Sequence, residues 1–148
     1  MRKKKAPELS LAVQYGCHDD ALPLRAQVRR WVSAALEQSV QLTVRFVDAQ
    51  EGRVLNRDFR GKDYATNVLT FVYETRPVTG DLVICTAVVQ REAREQDKPF
   101  KAHLAHMVVH GMLHLQGYDH ETGAADAARM EMREREILAR FGIPDPYV

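Results

Sequence analysis

The chain has 148 residues, of which 45% are hydrophobic and 28% charged, with a formal net charge of +1. That length can bury one domain's core, and the composition excludes disordered, collagen-like and disulfide-framework proteins. No apolar run approaches the ~20 residues that span a bilayer, and no long apolar stretch follows the basic start Met1-Arg2-Lys3-Lys4-Lys5, so neither a membrane span nor a signal peptide is expected.

Cys17 and Cys85 have no paired spacing, which points to two small buried residues in a reducing cytoplasm. Net charge does not decide whether nucleic acid is a partner, because phosphate contacts depend on local basic clusters. The Arg2–Lys5 run is one such cluster, and reads as a solvated terminus.

Glu8 to Tyr15 alternates as a strand, with Leu9, Leu11 and Val13 on one face. Leu22 to Glu37 carries a helical pattern through Leu24, Val28, Trp31, Val32 and Ala35. Val40 to Val47 is a strand, and Asp48 is an N-cap for a helix to about Asp58. Thr66 to Tyr73 is rich in β-branched and aromatic residues and reads as a strand. Thr79-Gly80-Asp81 reads as a turn, followed by a short central strand to Cys85 and a helix capped by Thr86. Pro99 suits the first turn of the next helix, which Gly117 ends, and a last helix covers about Ala124 to Arg140. These elements predict one α/β (α+β) domain over residues 1–148, with a small mixed sheet of about four strands and about five helices.

The chemistry concentrates in His110-Gly111-Met112-Leu113-His114-Leu115-Gln116-Gly117-Tyr118-Asp119-His120. His110 and His114 sit four apart on one helix face, close enough to share an ion. Gly117 lets the chain turn back, and His120 arrives to complete a set of three. Three neutral imidazoles suit Zn2+, or nickel or iron, and leave a coordination position open, as catalytic rather than structural sites do. His106 and His114 lie about 12 Å apart along the axis and cannot share an ion. His106 with His110 and a remote ligand remains geometrically possible, while His103 and His106 otherwise read as supporting residues. Zinc peptidases of the H-E-x-x-H type place their base where this chain has Gly111. Asp119 is a candidate either for a base or for a residue that orients a histidine.

The histidine run resembles the signature of the YbeY-type bacterial endoribonucleases, the ribosomal-RNA maturation factors. Asn56-Arg57-Asp58-Phe59-Arg60-Gly61-Lys62-Asp63 resembles that family's N-x-x-[YF]-R-x-K-D stretch, and Thr66-Asn67-Val68-Leu69-Thr70-Phe71 resembles its T-D-V-L-S-F continuation. Gly80-Asp81-Leu82-Val83-Ile84 resembles its G-D-I-x-I strand. Asn67 replaces the family's aspartate, Thr70 a serine, and Val72 a common proline. The resemblance implies a zincin-like fold with a single zinc on the penultimate helix and the turn after it. It implies single-strand-specific RNA cleavage, processing at the 3′ end of small-subunit ribosomal RNA, ribosome quality control, and partners on the small ribosomal subunit. It places the family's important arginine on Arg60. The chemistry of such a site then suggests that Arg60 pairs with the scissile phosphate, with Lys62 as a further phosphate contact. Two other readings stand beside it: a ribosome-assembly binding factor with a structural zinc, and a metallopeptidase that finds its base elsewhere.

Overall fold

The computed structural model describes residues 5–148 apart from residue 120. The elements run β1 (Leu9–Tyr15), α1 (Arg25–Ala34), β2 (Val40–Val47), α2 (Ala49–Arg60), β3 (Val68–Thr75), β4 (Val78–Cys85), α3 (Thr86–Glu95), α4 (Phe100–Leu115) and α5 (Ala124–Ala139). The four strands form one mixed sheet in the order β1-β2-β4-β3. β1 and β4 both run parallel to β2, while β3 is the antiparallel edge strand against β4.

Alternation along the strands sends two sets of side chains to opposite faces. On one face Leu42, Val44, Phe46, Leu82 and Ile84 pack with Val28, Trp31 and Val32 of α1, with α4, and with Met130, Ile137 and Leu138 of α5. On the other, Val47, Leu69, Val83 and Cys85 pack with Val88 and with Leu55 of α2. α4 is the central helix, and eleven of its residues are buried, from His103 to Leu115. No helix among the described residues is long and apolar enough to cross a membrane.

Asp48 caps α2 as expected, its Oδ1 accepting from Glu51 N at 2.9 Å. Three local expectations are corrected. Thr79-Gly80-Asp81 is not a turn but lies inside β4, with Gly80 paired to Leu42 and Val72. The chain reverses instead at Arg76-Pro77, where proline lacks the N–H a ladder needs. Thr86 is the first residue of α3 rather than its cap, and its hydroxyl donates to the Val47 carbonyl at 3.3 Å. α1 starts later than its apolar pattern because Leu24 stays extended as the N-cap behind Pro23, whose carbonyl accepts from the Tyr15 hydroxyl at 2.7 Å. It also ends earlier, at Ala34, where Ala35 N and Leu36 N donate to the Val32 and Ser33 carbonyls.

Candidate metal centre

The histidines of α4 form a stripe that runs from the core to the surface. His103 and His106 are buried, His110 is half-buried and His114 is exposed. His110 and His114 line one cavity of about 310 Å³ together with Arg60, Val68, Thr70 and Glu121. Arg60 is the last residue of α2, while Val68 and Thr70 come from the edge strand β3. The loop between these elements is held by buried Asn56, whose Nδ2 donates to the Tyr64 carbonyl at 2.7 Å.

Both cavity histidines are oriented from behind. His110 Nδ1–H donates to Glu134 Oε1 at 2.9 Å, and His114 Nδ1–H donates to the Tyr118 carbonyl at 3.0 Å. Each contact favours the tautomer with its proton on Nδ1 and its ligand lone pair on Nε2. That donor chemistry fits a divalent transition metal in the cavity.

A second arrangement overlaps this one. The ligand atoms of His106, His110 and Glu134 all lie within 4.8 Å of one another, so α4 and α5 bring together three groups of the metal-ligating kind. His106 Nε2–H donates to Glu134 Oε2 at 2.5 Å, and the Tyr147 hydroxyl donates to the same oxygen at 2.6 Å. Burial works to raise the Glu134 carboxyl, but the hydrogen bonds from His106, His110 and Tyr147 outweigh it and hold the group at about 2, as an anion. Burial, and then the Glu134 contact, push the Tyr147 phenol well above its ordinary range, which keeps it a donor. His110 belongs both to this cluster and to the cavity.

The structure therefore brings Arg60, His110 and His114 together. His120 lies outside the described residues. Lys62 is exposed and is not among the described residues that line the cavity. Asp119 Oδ1 accepts from Glu121 N at 2.8 Å, so that side chain shapes the turn after α4. Glu121, Glu134 and Tyr147 were not anticipated. Glu134 carries a readable signal, because it falls on the buried stripe of α5 with Met130, Ile137 and Leu138, where a carboxylate has no place unless it is paired. Tyr147 sits in the irregular tail and has no such signal.

Gly111, the position of the absent peptidase glutamate, faces the sheet. A Cβ there meets Leu82 Cδ2 at 2.9 Å and Val68 Cγ2 at 3.4 Å. Any side chain at this position must therefore displace the Leu82 methyls where α4 packs on β4, and a glutamate would carry its carboxylate into that apolar contact.

Comparison with known proteins agrees with this architecture. The family model described as endoribonuclease YbeY matches residues 17–142. A relative of that name from Thiobacillus denitrificans is 63% identical over 145 residues, covering 96% of this chain and 98% of the relative. Another from Paraburkholderia phymatum is 55% identical, covering 97% of this chain and 98% of its own length. The solution structure of a Thermotoga maritima protein superposes with a TM-score of 0.62 at 27% identity, covering 86% of each chain. With the family model spanning most of the fold and relatives matching nearly end to end, this chain belongs to the endoribonuclease YbeY family.

Proposed function

We propose that this protein is a zinc-dependent endoribonuclease of the cytoplasm. It cuts single-stranded RNA, acts in maturation of the 3′ end of small-subunit ribosomal RNA and in ribosome quality control, and meets proteins of the small ribosomal subunit. The observation that carries the reading is the shared cavity, which Arg60 lines together with two oriented imidazoles, His110 and His114. Family membership supports the choice of RNA over other phosphodiesters.

In this reading His110 and His114 hold the metal, with His120 as the third ligand. When bound, the zinc supplies Lewis-acid chemistry at the phosphoryl group. Arg60 binds the scissile phosphate through paired N–H donors and stabilises the charge that grows there. Glu121 adds a carboxylate to the same wall, a group of the type that accepts a proton from an attacking hydroxyl. Glu134 is a poor ligand for this centre, because it is 0% exposed and both of its oxygens already accept hydrogen bonds. An open catalytic position needs access to solvent, which the cavity provides.

The test is cleavage of a labelled single-stranded RNA and its duplex, each with and without a zinc chelator. Cleavage of the single strand that stops with chelator and returns with zinc supports the reading. Cutting that ignores the chelator, or binding to small subunits without any cutting, contradicts it. The product ends identify the nucleophile, since only attack by the RNA 2′-hydroxyl leaves a 2′,3′-cyclic phosphate.

A further inference from the structure

Glu134 has no task in the reaction itself, yet it is the one charged side chain of α5 that is buried, at 0% exposure. Desolvating a carboxylate is costly, and neighbours must satisfy it fully. Here they do. Oε1 accepts from His110 Nδ1 at 2.9 Å, while Oε2 accepts from His106 Nε2 at 2.5 Å and from the Tyr147 hydroxyl at 2.6 Å.

The donors come from different parts of the fold. His106 and His110 are one turn apart on α4, and their rings meet edge to face with centroids 6.2 Å apart. Tyr147 is delivered by the tail beyond α5. That tail is fastened at two further points: Arg135 Nε donates to Asp145 Oδ2 at 2.7 Å, and Lys98 Nζ donates to the Pro146 carbonyl at 2.7 Å. Asp145 Oδ1 also accepts from Tyr147 N at 2.9 Å, fixing the approach of the ring.

We propose that Glu134 is a positioning residue for the metal ligand His110, and that Tyr147 locks Glu134 in place, so that the C-terminal tail sets the metal affinity of the site from outside the cavity. The carboxylate fixes which ring nitrogen of His110 carries the proton and strengthens the other as a donor. Tyr147 and His106 hold one carboxylate oxygen, which leaves the other directed at His110 Nδ1. This inference rests on the reading of His110 as a ligand within the cavity.

The experiment is competition for zinc between a chromophoric chelator and the full chain, starting metal-free. Wild type, Glu134→Gln, Tyr147→Phe and His114→Ala are compared, with melting curves of each metal-free form. We expect Glu134→Gln to lower zinc affinity about 10- to 100-fold and Tyr147→Phe by a smaller factor, both still binding metal at saturation. Tyr147→Phe removes only a hydroxyl, so it tests the lock even if Glu134→Gln fails to fold. Unchanged affinity in a folded variant of either residue overturns its role. A folded Glu134→Gln that takes up no zinc at saturation makes Glu134 a ligand and also overturns the inference. A wild type that binds no zinc, or a His114→Ala variant that binds it as tightly as wild type, overturns the underlying reading, and the inference with it.

Discussion

His114 Nδ1 donates to the carbonyl of Tyr118 at 3.0 Å, so the turn that ends α4 orients the very side chain that α4 presents to the cavity. That turn depends on Gly117, whose φ of 108° is a conformation that side chains rarely adopt. Gln116 anchors it, with Oε1 accepting from Glu37 N at 2.7 Å and Nε2 donating to the Ala35 carbonyl at 2.8 Å. Replacing Gly117 by alanine strains the backbone by about 1–3 kcal/mol. We expect Gly117→Ala to lower Tm and weaken zinc binding together, measured by thermal melting and chelator competition. Full zinc affinity in that variant would show that the turn does not govern His114.

Arg60 tests the phosphate half of the site separately from the metal half. It lines the cavity with His110 and His114 but comes from α2, so its removal leaves both imidazoles in place. Loss of one transition-state donor costs about 100- to 1,000-fold in rate. Arg60→Ala is expected to lose about that much in kcat/KM on single-stranded RNA, with zinc content unchanged. Arg60→Lys is expected to recover only part, because an ammonium lacks the paired fork. Equal activity in Arg60→Ala would remove Arg60 from the mechanism.

Gly111 separates the nuclease reading from the peptidase one. The space beside it is filled by Leu82, which is fully buried, and by Val68. Gly111→Glu, which restores the peptidase pattern, must overpack the α4–β4 contact at about 1–3 kcal/mol and desolvate a carboxylate as well. The expected result is a marked fall in Tm and no digestion of casein. A stable Gly111→Glu variant that digests casein would contradict the packing argument and revive the peptidase reading.

Much of this fold was legible because its signals are local. The alternation of Val40, Leu42, Val44 and Phe46 predicts β2 at the bounds observed, and the spacing of His110 and His114 places both on one side of α4. The errors arose where distant contacts overrule local chemistry. Gly80 and Asp81 look like turn residues, yet pairing with Leu42 and Thr43 on β2 draws them into the sheet. The support behind His110 was hidden for the same reason, since Glu134 lies 24 residues away and meets it only when α5 packs on α4. A carboxylate among Met130, Ile137 and Leu138 was still a warning that something must neutralise it.

The central claim, that the metal held by α4 cuts RNA, is tested most directly by measuring zinc content and single-stranded RNA cleavage on the same samples of folded wild type and His114→Ala. The account predicts about one zinc and cleavage in the wild type, and loss of both in the variant. A variant that loses its metal yet cuts RNA as fast as the wild type would contradict it, and the activity would then belong to some other site.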